Sequence, residues 1–133
     1  MELSEAQREA FARNGVLVVE GFRTRAECAA LRARIGELVQ GFDPDTVRTV
    51  FDTGGQGHAR DRYFLDSGGE IRFFLEAEAV DAGGRLTRPK EQALNKDGLA
   101  LHDLDPVFEA FSRRSDFAAI ARGLGMAAPV PVQ

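Results

Sequence analysis

Helix starts can be placed to the residue in this chain, and they confine what the rest of it can do. Ser4 and Gln7 stand at capping-box spacing, so each side chain satisfies an orphan backbone N–H of a first helical turn. Thr24 and Glu27 repeat the arrangement. Asp105 followed by Pro106 is an acidic N-cap with proline at the first helical position. Asn14-Gly15 and Gly41 supply the stops, since glycine accepts the left-handed conformation of a C-terminal cap. These signals predict helices from Ser4 to Asn14, from Thr24 to Gly41 and from Asp105 onward. A last helix is expected from a Ser115 cap to Gly125.

The apolar periodicity agrees with these bounds. Leu3, Ala6, Ala10 and Phe11 form a narrow stripe on the first helix, and Cys28, Leu31, Ile35 and Leu38 recur at helical spacing on the second. Cys28 is therefore predicted on the buried face, as a small core hydrophobe rather than a reactive thiol. Val107, Phe108 and Phe111 are the expected core residues of the third helix; Phe117, Ile120, Ala121 and Leu124 are those of the last.

The strand signals are shorter. Val16 to Val19 is a β-branched run that predicts a short buried strand, and Val47 to Phe51 predicts another. Arg60 to Leu65 reads as a short helical or extended turn. Ile71 to Leu75 predicts a strand, and Asp81-Ala82-Gly83-Gly84 predicts a hairpin bend returning through Leu86, limited by Pro89. Ala127 to Gln133 is an apolar extended tail. No repeat or linker divides the chain, so residues 1–133 are expected to form a single α+β region, helices dominant with a few short strands.

Composition narrows the function classes. A net charge of −4 argues against a nucleic-acid surface, which needs a basic footprint. Arg85, Arg88 and Lys90 are close in sequence but flanked by Asp81 and Glu91, and read as a solvated loop of mixed charge. No apolar run approaches the roughly 18 residues of a membrane span. The acidic, polar opening Met1 to Glu5 has no secretory pattern. One cysteine admits no internal disulfide, in keeping with a reducing, cytoplasmic setting.

Few residues carry chemistry on their own. The loop Asp52 to His58 is glycine-rich, but it lacks a phosphate-binding spacing and reads as a surface loop. Asp103 and Asp105 could form a carboxylate pair, although Asp105 is better used as a helix cap. Glu76 and Glu78 share one side of an extended segment and read as solvated charges. His102 adjoins Asp103 with no nucleophile in reach. Lys96 stands in an apolar setting beside a turn, where a cation pairs well with a ligand carboxylate; an ordinary surface lysine is the competing reading.

Three stretches, in order, carry a resemblance. Leu3 to Phe22 reads LSEAQREAFARNGVLVVEGF. Phe64 to Glu76 has the pattern F-L-x-S-x-x-x-I-x-F-F-x-E. Leu94 to His102 has the pattern LNK-x-G-x-ALH. Together they resemble the N-terminal portion of the phytanoyl-CoA dioxygenase family of non-haem Fe(II)/2-oxoglutarate-dependent oxygenases. The resemblance implies a complete fold that is a double-stranded β-helix, or jelly roll, whose barrel core lies outside these residues. It implies iron and 2-oxoglutarate as cofactors and hydroxylation of an organic, acyl-CoA-like substrate.

The resemblance also assigns Lys96 to the carboxylate of 2-oxoglutarate. It assigns no iron ligand here: His58 is followed by Ala59-Arg60 and His102 by Asp103-Leu104, so neither begins a His-x-Asp motif. The chain departs from the family at Asp97, where an apolar residue is usual and where the carboxylate could pair with Lys96, and at Leu99, where a histidine is common. By this reading the chain has no turnover alone. The alternatives are a non-catalytic module docking to a partner chain that supplies the missing barrel, and an unrelated small α+β domain.

Overall fold

A computed structural model describes residues 1–46, 50–51 and 62–131. The elements run α1 (Glu5–Asn14), α2 (Arg25–Gly41), β1 (Val50–Phe51), α3 (Arg62–Leu65), β2 (Phe73–Glu76), β3 (Leu94–Asp97), α4 (Leu101–Leu104), α5 (Pro106–Ser112) and α6 (Ser115–Gly123). The fold is α+β and helix-rich, as expected. The glycine-rich stretch 52–58, with His58, lies outside the described residues, as do positions 47–49 of the second expected strand.

Both capping boxes form, at Ser4/Gln7 and at Thr24/Glu27, and Gly15 closes α1 at φ 71°. Gly41 does not stop α2 but is its last residue; Phe42 is the cap. The helix end is held instead by Lys90, whose Nζ donates to the carbonyls of Gln40 and Phe42 at 2.8 Å each. A cation on the last carbonyls of a helix complements its dipole. Ser115 is the first helical residue of α6 rather than its cap, a position held by Arg114.

The sheet has three strands in the order β1-β2-β3. β1 pairs with β2 in parallel (Val50 opposite Leu75), and β2 pairs with β3 antiparallel. Phe73 faces Asp97 and Phe74 faces Lys96, but Leu75 faces Leu94, so Asn95 is an extra residue on β3. This bulge divides the side chains. Phe73 and Leu75 enter a core with Val39, Phe42, Ala79 and Ala93, flanked by the half-buried Leu38, Ile71 and Leu94. Without the extra residue Leu94 would share a face with Lys96. With it, Leu94 stays on the core side while Lys96 goes to the opposite face beside Phe74.

Two expectations fail. Val16 to Val19 is extended but pairs with no strand, and Val16 and Val18 are 61% and 77% exposed. A β-branched run becomes a strand only where a sheet edge receives it, and none of the three described strands does so. Cys28 is exposed, not buried. The stripe on α2 deepens only toward its C-terminus, where Val39 is buried, and the N-terminal turns of the helix lie outside that core. The expected hairpin shrinks to one bridge, Val80 opposite Leu86, around a turn in which Asp81 accepts from the N–H groups of Gly83 and Arg85. Val107 is also more exposed than its place in the pattern implied, at 38%.

The helices are tied down by two ionic devices absent from the motif reading. The Arg23 guanidinium makes two bonds to Asp116, at 2.7 and 2.8 Å, and lies over the rings of Phe22 (3.9 Å) and Phe117 (4.3 Å). This clamps the entry to α2 onto α6 and, through the Arg23 hydrogen bonds, holds the Asp116 carboxyl far below its ordinary range. Asp105, 1% exposed, caps α5 through the N–H groups of Val107 and Phe108 (3.0 and 3.2 Å) and accepts from Arg34 Nε on α2 at 2.7 Å. Burial raises the Asp105 pKa, but Arg34 and the two N–H bonds outweigh it and the net shift is downward.

Asp97 has the opposite balance. It lies on the core side of β3, its Oδ1 is buried without a hydrogen-bond partner, and burial raises its pKa. Strand alternation sends Asp97 and Lys96 to opposite faces, so the expected pairing between them is not the arrangement found.

Two stability measurements follow from this contrast. Asp105→Ala removes a cap and leaves Arg34 facing apolar surroundings, and is expected to cost about 2–3 kcal/mol in urea melts at pH 7. The Asp105 contribution is present above the ordinary carboxylate pKa of about 3.9 and is lost as pH falls through its depressed value. For Asp97 the sign reverses: its favourable contribution exists below about pH 3.9 and is lost as pH rises through the raised value. Asp97→Leu is therefore expected to stabilise the chain by about 1 kcal/mol at pH 7, with the gain shrinking as the buffer is acidified. A loss of stability in Asp97→Leu at neutral pH would contradict this account of β3.

Candidate functional site

Lys96 is half-buried on the face of β3 away from the core, opposite Phe74. Phe74 is 1% exposed and stacks edge-on with Tyr63 (5.4 Å) and Phe64 (5.8 Å). The segment before β2 is locked into place to make this wall. Ser67 Oγ donates to the Phe64 carbonyl at 2.6 Å, Arg72 donates to the Tyr63 carbonyl at 2.7 Å, and Tyr63 Oη accepts from the Phe73 N–H at 3.2 Å. These contacts explain the run from Tyr63 to Phe74: its serine and arginine tie a turn to a strand, and its aromatics build one side of a site.

The other side comes from the sharp return after β3. Gly98 has φ 69°, and a Cβ there would lie 3.1 Å from side-chain atoms of Ile71 and Leu101, so the close approach requires glycine. Ala100 is left-handed too, at φ 58°, a conformation that costs a non-glycine residue about 1–2 kcal/mol. These two residues turn the chain back on itself, and α4 then places His102 and Asp103 near Lys96. An open cavity of about 500 Å³ results, with Lys96, Phe64, Leu99, His102 and Asp103 among its lining residues.

His102 is 7% exposed, and its one polar contact among the described residues is Nε2 to Asp103 Oδ2 at 3.4 Å. The Asp103 carboxylate is held in turn by Arg113, which also reaches Glu109 at 3.4 Å. Both Asp103 and Arg113 are about half exposed, so this pair adds little stability; its consequence is orientation.

Each candidate from the sequence can now be placed. Lys96 lies on the wall of a cavity that a small anion could enter. Asp105 is spent as cap and ion-pair partner, and Asp103 is tied to Arg113, so the two do not form a catalytic carboxylate pair. His102, read in the sequence as a histidine without a role, stands on the cavity wall with Lys96. The signal was weak because it depends on the left-handed Ala100, which no residue preference announces.

Iron would need two imidazoles and a carboxylate converging on one point. Among the described residues no group of three or more His, Cys, Asp or Glu side chains could hold a metal ion. The carboxylate beside His102 is committed to Arg113. The residues present here do not fit an iron centre, and no step through iron is derived. A carboxylate ligand does fit beside Lys96, whose ammonium would pair with it against the aromatic wall.

The family model described as phytanoyl-CoA dioxygenase (PhyH) matches residues 11–128. A protein of Arabidopsis thaliana named phytanoyl-CoA dioxygenase is 40% identical over 131 residues, covering 98% of this chain and 46% of that protein. Phytanoyl-CoA dioxygenase domain-containing protein 1 of Bos taurus is 42% identical over 136 residues, covering 98% of this chain and 47% of its own length. The Dictyostelium discoideum homolog of that protein is 36% identical over 126 residues. The chain thus spans about half the length of the curated relatives it matches. Over that span the match extends across α1 to α6 and includes every residue of the Lys96 cavity except Pro131. On this evidence the chain belongs to the phytanoyl-CoA dioxygenase family.

Proposed function

We propose that this chain supplies the co-substrate-binding flank of an Fe(II)/2-oxoglutarate-dependent oxygenase, with Lys96 contacting a carboxylate of 2-oxoglutarate. The observation that carries the reading is the placement of Lys96. The bulge at Asn95 turns it away from the core and onto the wall of a cavity of about 500 Å³, beside an aromatic cluster. Family membership supports dioxygenase chemistry for the complete protein. That chemistry would be hydroxylation of an organic, acyl-CoA-like substrate, with iron held by a His-x-Asp…His set outside this chain. Within the chain, Lys96 binds and orients the oxo acid, Phe64 and Phe74 keep water from one side of it, and Arg72 with Ser67 holds that wall in place. The chain alone turns nothing over.

A second reading is supported by exposed apolar residues. Val16, Val18, Met126 and Val130 are 55–77% exposed. Phe111, Phe117, Ala121 and Met126 line an open groove of about 600 Å³ against the Pro129–Pro131 segment. Under this reading the chain docks without catalysis to a partner chain that completes the barrel. A cooperative, monomeric melt without binding of apolar dyes would count against it.

Calorimetry tests the first reading. The chain is expected to bind 2-oxoglutarate, and Lys96→Met is expected to weaken binding by roughly tenfold to a hundredfold, the value of one charge-assisted hydrogen bond. Binding that survives Lys96→Met unchanged would remove the role assigned to this lysine.

A further inference from the structure

We infer that His102 is a second ligand-binding group of the Lys96 cavity, held in orientation by Asp103 and Arg113 and presenting Nδ1 to the bound oxo acid. The inference rests on the proposed function and deepens it. It starts from a buried polar group with an unfilled hydrogen-bonding position. His102 is 7% exposed, yet among the described residues its polar contact is confined to Nε2, which faces Asp103 at 3.4 Å. Buried imidazole nitrogens are ordinarily both satisfied, and one left open on a cavity wall is suited to a ligand.

The surroundings are built to hold this orientation. Asp103 accepts at Nε2, which fixes the tautomer and ring plane much as a carboxylate partner does for a working histidine elsewhere. Arg113 restrains Asp103 from the far side and offsets its charge, so that the carboxylate does not repel an anion in the cavity. The left-handed Ala100 is the strained element that brings α4 to this position. A strained non-glycine residue directly before a site residue is where function, rather than folding, accounts for the local cost. Lys96 and His102 then stand on one cavity from two different elements, β3 and α4. A dicarboxylate bound there is read at two points, by charge at Lys96 and by a hydrogen bond at His102.

The test uses the chain as it is, with 2-oxoglutarate as the probe. The chain has two histidines, so imidazole Cε1–H correlations give two signals, assigned with His58→Gln. The His102 signal is expected to move saturably with 2-oxoglutarate and to stay fixed in Lys96→Met. His102→Leu is expected to weaken binding about tenfold, while His102→Asn, which keeps a polar nitrogen near the Nδ1 position, holds within about threefold of the wild type. A purely structural histidine would lose stability in both variants and show no ligand-dependent shift in the wild type. An unmoved His102 signal alongside Lys96-dependent binding would overturn the inference and leave the proposed function standing. Absence of Lys96-dependent binding would remove both. Because the decisive signal is read in the wild type, a variant that fails to fold does not obscure the result.

Discussion

The buried carboxylate of Asp105 is the joint on which this chain turns. It caps α5 with one oxygen and holds α2 through Arg34 with the other. A carboxylate 1% exposed is costly unless each of its lone pairs is used, and here three donors use them. The consequence reaches the cavity. Asp105 directly follows α4, so the anchor that pins α5 to α2 also fixes the end of the short helix that carries His102 and Asp103. The Arg23–Asp116 clamp acts in the same way at the far side, tying the approach to α2 against α6. Two buried or half-buried ion pairs therefore set the frame within which a shallow apolar core is enough.

Inside that frame one residue decides which side chains see the core and which see ligand. The bulge at Asn95 lets Leu94 join the core while Lys96 points the other way. The same partition leaves Asp97 on the core side, with a buried oxygen that nothing satisfies. An apolar residue would suit that place, and apolar residues are usual there in the family. The cost of Asp97 and the availability of Lys96 thus have one geometric origin.

How much of this could be read in the sequence depended on how local each signal was. Ser4, Thr24 and Asp105 announced their helices because a cap needs only the residues two and three positions on. Phe73 and Phe74 announced a strand for a similar reason. Val16 to Val19 misled because a strand is completed by a neighbour, and the run itself cannot say whether a neighbour exists. Cys28 misled because a helical stripe marks a face without marking how far along the helix the core extends. Lys96 was found through its motif, but its direction depended on an unpaired residue at Asn95, and pairing register is a property of two strands. His102 was the least legible, since its place follows from a left-handed alanine and a glycine whose tightness appears only once Ile71 and Leu101 are packed around it.

Membership of the phytanoyl-CoA dioxygenase family gives these parts a context, and the chain covers about half of its relatives' length. The central claim is that the space between β3 and α4 receives an oxo dicarboxylate. Amide hydrogen exchange with and without 2-oxoglutarate addresses it most directly, because it reports where the ligand sits without altering a residue. Slowed exchange confined to the Lys96–Asp103 turn and the Phe64–Gly68 wall is expected. Protection appearing only along α5 and α6, or nowhere, would contradict the claim.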